Sequence, residues 1–178
     1  AWPVVHHHYP SAHLLVVGEG SERDRLEGLA AAHLRAEVCC KSVHFLGRRE
    51  DVPQILAAAD VVVMPSYREA QGLAIVEALA ANRPVIASNV GGIPEMIRSG
   101  ENGILVPSQD PSALASAIAL LFRDRVLAAR LARAGHELVH ERFCVDDMLR
   151  DIESIYALAV GGPASEVPDR HGVRSAHR

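Results

Sequence analysis

Short aliphatic runs recur along the chain, and each is separated from the next by a segment in which apolar residues have helical spacing. The runs carry almost no polar residues at alternate positions, which is typical of strands buried on both faces of a sheet. They are Leu14–Val17, Val43–Leu46, Val61–Met64, Val85–Ser88 and Ile104–Val106. Because neighbouring parallel strands need crossovers and helices supply them, the pattern predicts an α/β fold, with a doubly wound parallel sheet in three layers, α/β/α.

The intervening segments predict helices. Their bounds are Glu22–Glu37 after a Ser21 cap, Asp51–Ala59, Gly72–Ala81, Pro94–Arg98, Asp110–Arg133 and Val145–Val160. Ahead of the first strand, the residues up to Tyr9 are typical of a helix end that Pro10 terminates, so we expect the chain to be a fragment of a longer protein. No apolar periodicity remains after Pro163. We therefore predict one domain over residues 1–160 and a disordered tail over residues 161–178.

The composition is that of a soluble globular domain. The 178 residues are 49% hydrophobic, 22% charged and 4% aromatic, so the chain can build a core without metals or cross-links. Lys and Arg number 18 against 22 Asp and Glu, which gives a net charge of −4. The overall charge therefore gives no basis for binding nucleic acid or an anionic membrane, and any phosphate-bearing partner must be held locally.

Cysteine usage and the lack of a targeting pattern predict a cytoplasmic protein. Cys39, Cys40 and Cys144 are odd in number and form no Cys-x-x-Cys pair, which favours a reducing compartment. No basic stretch followed by an apolar core opens the sequence. The most apolar run, Ile55–Met64, contains Asp60 and has half the length of the roughly 20 residues that a membrane-spanning helix needs.

The histidines do not predict a metal site. His6, His7 and His8 are consecutive, and consecutive residues of a helix point about 100° apart, so the three rings cannot all face one ion. A second set lies in or beside apolar patterns and is interpreted as packing or surface residues: His44, His136 and His140. We expect neither a metal nor an organic cofactor.

Strand-end loops are where an open parallel sheet binds ligands, because loops and helix N-termini meet there. The first such loop, Gly18–Arg23, approaches the glycine-rich dinucleotide fingerprint in the right context. Arg23 replaces the third glycine, and Glu19 and Glu22 would repel a pyrophosphate. A tight turn between strand and helix is the better interpretation of this loop.

The loop after the third run carries a more informative pattern. Glu69 lies in the loop and Glu77 follows eight positions later, in the second turn of the next predicted helix. A carboxylate accepts two hydroxyl hydrogen bonds at once, so Glu77 is suited to a ribose diol and Glu69 to sugar hydroxyls. Between them, backbone amides would face phosphate or sugar oxygens, and they belong to Ala70, Gln71, Gly72 and Leu73. The alternative is that Glu69 caps the helix and Glu77 is merely solvated.

A family resemblance favours the first interpretation. The stretch from Pro65 to Glu77 resembles the glutamate, seven residues, glutamate signature of the retaining glycosyltransferases of family 4, which have the two-domain GT-B architecture. Further stretches resemble the C-terminal domain of that family in order, from about Ser11 to Leu158: Leu15–Gly20, Val43–Gly47, Ala58–Val61, Glu77–Ala80, Pro84–Ser88, Gly91–Glu95 and Asn102–Val106. The fold would then be the Rossmann-like half of a GT-B enzyme.

The resemblance implies roles for single residues. It implies that Glu77 binds the ribose of a nucleotide sugar such as a UDP- or GDP-sugar, and that Glu69 lies beside the donor sugar. Arg48 falls where relatives contact the base, although a solvated turn arginine is an equal interpretation. Similar enzymes need no metal and transfer by same-face displacement, which would make Glu69 a stabiliser of positive charge on the sugar rather than a covalent nucleophile.

Two departures from the family pattern limit what we expect of the chain. Gln71 stands where relatives often have an aromatic residue. Relatives also begin this domain with a strand and a loop carrying an arginine and a lysine for the diphosphate, and these would precede Ala1, as would the N-terminal acceptor domain. We therefore expect this chain alone to bind a nucleotide sugar weakly and not to transfer it. The full-length enzyme is expected in the cytoplasm, with peripheral contact at the inner face of the membrane.

Two other functions fit the same residues. A nucleotide-sugar epimerase can share the two-domain architecture, and it would release nucleoside diphosphate without an acceptor. A non-catalytic nucleotide-sugar-binding module is the second, and the presence of both Glu69 and Glu77 argues against its degenerate form.

Overall fold

The computed structural model describes residues 1–33, 41–143 and 145–159. The three cysteines, the end of the predicted helix Glu22–Glu37 and the predicted tail lie outside these ranges. The strands are β1 Leu14–Val17, β2 Val43–Gly47, β3 Val62–Met64, β4 Val85–Ser88 and β5 Ile104–Val106. The helices are α1 Trp2–His8, α2 Arg23–His33, α3 Val52–Ala58, α4 Leu73–Ala80, α5 Ile93–Met96, α6 Pro111–Arg123, α7 Arg125–Arg142 and α8 Val145–Ala159. This alternation confirms the predicted α/β class.

All strand pairs in the described ranges are parallel, but they form two ladders where the sequence predicted one sheet. β1 pairs with β2, with Leu14 opposite Val43. β3, β4 and β5 form the second ladder in that order, with β4 in the middle. All four residues of β4 are buried, as expected for the central strand of a sheet covered on both faces.

The hydrophobic core lies against the second ladder. Ile86 of β4 and Val106 of β5 are buried there with side chains of α6 and α7, including Ile118, Leu121 and Leu131. Full burial of a side chain of this size stabilises the fold by about 1.5–3 kcal/mol. The apolar period that the sequence shows in this region therefore corresponds to the core-facing sides of α6 and α7.

Helix α1 connects the two ladders. Its Val5 is 1% exposed and belongs to the core cluster that contains Ile86. At its start, the indole Nε1 of Trp2 donates to the hydroxyl of Ser42, the residue before β2, at 3.0 Å. At its end, the ring of Tyr9 packs edge-on against Phe122 of α6, with the ring centroids 5.1 Å apart. The first helix thus contacts both halves of the sheet region.

The long helix predicted over Asp110–Arg133 is wrong, because the structure divides it at Asp124. The carboxylate of Asp124 accepts from the amide of Leu127 at 2.8 Å and so caps α7. At the start of α6, Asp110 accepts from Ser112 and Ala113 in the same way. Aspartate favours a cap over a helix interior. A smaller difference concerns α2, which begins two residues after the predicted Ser21 cap.

The chain divides into two compact units, residues 1–137 and 138–178. The described part of the second unit comprises the end of α7 and α8. One side of α8 exposes large apolar side chains to solvent: Met148, Leu149, Ile152, Ile155 and Tyr156. None of the helices in the described part of the chain is long and apolar enough to cross a bilayer.

Candidate functional site

The loop from β3 to α4 ends on a glycine that the backbone requires. Gly72 is the N-cap of α4 and has φ 70° and ψ 49°, in the left-handed region. A Cβ at Gly72 would lie 3.1 Å from Cε of Met96 and 3.2 Å from Cδ1 of Ile75. Gly72 therefore meets two requirements, a positive φ and a close approach of neighbouring side chains.

Glu69 is hydrogen bonded to the N-cap residue of the helix that follows its loop. Its side chain is half-buried, and its Oε1 accepts from the backbone amide of Gly72 at 3.0 Å. The sequence predicted that the amides from Ala70 to Leu73 would all face a ligand, and for Gly72 this is wrong because the Glu69 carboxylate uses that amide. The capping role that the sequence left as an alternative is thus present, and it engages one of the two carboxylate oxygens.

The first turn of α4 is open to solvent. Leu73 is 66% exposed, and Ala70 and Gln71 before it are exposed as well. Glu77 is also exposed and lies four positions after Leu73, so both residues share one side of the helix. The opposite side is anchored in the interior by Ile75, Ala78 and Leu79. The helix therefore carries Glu77 on its exposed side, one turn after an accessible N-terminus.

A second loop supports the Glu69 loop, and sequence reasoning did not assign it to the site. Gly91 and Gly92 follow β4, and the amide of Gly92 donates to the carbonyl oxygen of Glu69 at 3.3 Å. The sequence signal for this contact was a pair of adjacent glycines after a buried strand, which indicates a close backbone approach.

The ends of β1 and β2 form a different part of the molecule. The amide of Gly18 donates to the carbonyl of Gly47 at 2.8 Å, and Arg23 pairs with Glu27 at 2.8 Å. The tight turn that the sequence favoured is closed by the amide of Arg23, which donates to the carbonyl of Gly20 at 3.1 Å. Arg23 replaces the third glycine of a dinucleotide fingerprint, and its ion pair with Glu27 lies within α2.

Arg48 lies on the turn that follows β2, and its side chain is exposed. Next to it, Arg49 binds Asp51 with two hydrogen bonds, of 2.8 and 2.7 Å. The hydrogen bonds from Arg49 hold the pKa of Asp51 below its ordinary value. The structure brings Glu69, Gly72 and Glu77 together at the start of α4. Arg48 lies at the end of the other ladder, and within the described ranges it makes no hydrogen bond to these three residues.

Histidines in the described ranges make polar contacts with other parts of the protein. Nδ1 of His13 lies 3.0 Å from Nε2 of His44, and Nδ1 of His136 lies 3.0 Å from the carbonyl oxygen of Ala80. His6 is buried in α1, whereas His7 and His8 are exposed. Over the residues that the structure describes, no group of three or more His, Cys, Asp or Glu side chains could hold a metal ion.

Comparison with known proteins connects this geometry to one family. Residues 1–124 match the family model described as glycosyl transferases group 1. The chain is 33% identical over 146 residues to N-acetyl-alpha-D-glucosaminyl L-malate synthase of Bacillus anthracis, covering 82% of this chain and 37% of that protein. It thus spans well under half the length of this relative.

Solved structures share the fold. HepE of Anabaena, determined in complex with UDP, matches with a TM-score of 0.77 and 30% identity, over 84% of this chain and 42% of that one. The C-terminal domain of a group 1 glycosyl transferase, LpcC of Francisella tularensis, matches with a TM-score of 0.72 and 29% identity, over 80% and 75% of the two chains.

Proposed function

This chain belongs to the family of group 1 glycosyl transferases, and we propose that it is the donor-binding half of a retaining glycosyltransferase that uses a nucleoside-diphosphate sugar. One observation carries the proposal: the N-terminus of α4 is open to solvent between Glu69 and Glu77. The match to an isolated C-terminal domain of the same family supports the assignment to the donor half.

In the proposed complex, the exposed carboxylate of Glu77 accepts hydrogen bonds from the two ribose hydroxyls. The diphosphate lies at the first turn of α4, where the amides of Leu73 and Ala74 have no partner within the helix and the helix dipole favours negative charge. The donor sugar lies beside Glu69. Arg48 contacts the base. A UDP- or GDP-sugar fits this arrangement, and UDP is the nucleotide bound in the HepE structure.

The proposed reaction proceeds on one face of the sugar. The bond from the anomeric carbon to the diphosphate oxygen breaks, the acceptor oxygen bonds to the same face, and the acceptor proton passes to the departing diphosphate. Glu69 stabilises the positive charge that develops on the sugar, and we propose no metal. The negative charge of the leaving group is met by α4 and by basic side chains outside this chain.

The rest of the proposed enzyme lies in segments that this chain does not contain. We propose an N-terminal acceptor domain and, between it and Ala1, a strand and a basic loop that complete the sheet. The separation of the two ladders, with α1 in contact with both, supports an added strand ahead of α1, because a strand, α1 and β1 would form one parallel crossover unit. The chain alone then binds the donor weakly and does not transfer sugar. For the whole enzyme we propose a cytoplasmic location with contact at the inner membrane face.

Calorimetric titration with UDP, GDP and ADP tests the proposal. We expect one of them to bind, and Glu77→Ala to reduce the affinity at least tenfold because the ribose loses its acceptor. Glu137→Ala is the matched control, since Glu137 is an exposed glutamate on a different helix, α7. Binding of none of the three nucleotides would indicate a non-catalytic module, and unchanged affinity in Glu77→Ala would refute the ribose role.

A further inference from the structure

The turn from β4 to α5 contacts the Glu69 loop more closely than any side chain allows. A Cβ added to Gly91 would lie 1.8 Å from the carbonyl oxygen of Glu69, and one added to Gly92 would lie 2.4 Å from the carbonyl oxygen of Ala70. Both neighbours are backbone atoms, which cannot rotate away as a side chain would. Two consecutive glycines are therefore required by the contact itself.

The two glycines differ in backbone conformation. Gly91 has φ +53°, in the left-handed region that strains other residues, whereas Gly92 has φ −79° and ψ −4°, which any residue adopts. At Gly92, the requirement for glycine thus comes from space alone. An alanine at position 92 therefore introduces a steric clash without backbone strain.

The turn is fixed on its other side by the core. It follows the buried strand β4 and leads into α5, where Ile93 is fully buried and Met96 is 5% exposed. Cε of Met96 lies against Gly72, at the end of the Glu69 loop. The loop is therefore contacted at both ends, at Glu69 by the glycine turn and at Gly72 by α5.

We propose that the Gly91–Gly92 turn is a positioning element, which sets the backbone of Glu69 so that its carboxylate reaches the amide of Gly72, the N-cap residue of α4. The hydrogen bond from the Gly92 amide to the Glu69 carbonyl holds this arrangement. Its consequence for donor binding rests on the proposed function. The turn contacts the loop through backbone atoms and acts on the ligand only through Glu69 and the start of α4.

The test uses Gly92→Ala, because its methyl group requires the turn and the backbone of Ala70 to separate by more than half an ångström. Gly28→Ala is the matched control, because nothing lies within 4 Å of its Cβ and its φ is ordinary.

Two measurements test the proposal, the NMR resonance of the Gly72 amide and the affinity for nucleotide. The amide resonance of Gly72, measured by NMR without nucleotide, is expected to shift in Gly92→Ala and to stay in place in Gly28→Ala. The affinity for whichever of UDP, GDP or ADP binds the unaltered chain is expected to fall at least tenfold in Gly92→Ala at a temperature where the variant is fully folded. An unshifted Gly72 amide, or a nucleotide affinity within twofold of the unaltered chain, would overturn the proposal.

If the unaltered chain binds no nucleotide, the proposed function fails while the Gly72 resonance still tests the positioning role. If Gly92→Ala does not fold, nuclear Overhauser contacts in the unaltered chain decide. We expect contacts between the α protons of Gly91 and Gly92 and the backbone of Glu69 and Ala70, and we expect them to persist when nucleotide binds. Their loss on binding would show that turn and loop move separately, which contradicts the proposal.

Discussion

Glu69 contributes to the stability of its own loop as well as to the proposed donor site. Since its Oε1 accepts from the amide of Gly72, removing the side chain leaves the amide of this N-cap residue without its partner. We expect Glu69→Ala to lower the free energy of unfolding by about 1 kcal/mol, the usual cost of losing a helix cap. Glu69→Gln keeps an oxygen acceptor at the same place and is expected to stay within about 0.5 kcal/mol.

Urea unfolding of both variants measures the difference. In the longer enzyme, Glu69→Gln is expected to lower the transfer rate by about a hundredfold or more, because the amide does not stabilise positive charge on the sugar. Equal unfolding free energies for Glu69→Ala and the unaltered chain would show that the hydrogen bond to Gly72 does not stabilise the loop.

The turn that carries Arg48 gives a residue-scale prediction about pH. The pKa of Asp51 is lowered by the hydrogen bonds from Arg49, so the pair stabilises the folded state above the ordinary carboxyl pKa of about 3.9. This contribution disappears as the pH falls through the lowered folded pKa. Carbon-13 NMR titration of the Asp51 carboxyl should show the depression, and Arg49→Ala should return the pKa towards its ordinary value. An unchanged pKa in Arg49→Ala would show that Arg49 does not cause the depression.

Helices α6 and α7 each begin at an aspartate cap, and the sequence predicted only the cap of α6. Asp110 is followed by Pro111 and its carboxylate accepts from Ser112 at 3.0 Å and Ala113 at 2.9 Å. We expect Asp110→Ala to destabilise the fold by about 1 kcal/mol because both amides lose their acceptor. Asp110→Asn is the control, since asparagine caps equally well. Thermal unfolding measures both, and equal melting temperatures for the two variants would contradict the capping role.

The sequence predicted Asp110 as a helix start because proline follows it, but it missed the start at Asp124. Asp124 stands within an apolar period that continues into α7, so periodicity alone could not separate the two helices. The strands were predicted to within one residue because each is a short aliphatic run bounded by turn residues. The contact between Gly92 and Ala70 could not be predicted in the same way, since it joins loops that lie far apart in the sequence.

At the scale of the whole molecule, the sequence predicted the parallel class but not the division into two ladders. Strand pairing depends on which strand edges meet, whereas a hydrophobic pattern indicates only which faces of a strand are buried. The structure shows that α1 spans this division, because Val5 joins the core of the second ladder while Trp2 donates to Ser42 beside the first. The cohesion of residues 1–137 therefore depends on the first helix.

Val5→Ala tests this dependence, and Val4→Ala beside it is the control, since Val5 is 1% exposed and Val4 is 55% exposed. Removing two buried methyl-sized groups is expected to cost about 2 kcal/mol in the first variant and close to nothing in the second. Trp2 is the single tryptophan, so its fluorescence reports unfolding at the contact with Ser42, while hydrogen exchange of the Ile86 amide reports the second ladder. If α1 joins the ladders, Val5→Ala lowers the unfolding free energy by the same amount at both places. A loss seen by Trp2 fluorescence alone would show that α1 detaches without the second ladder, and the two halves would then be held together by other contacts.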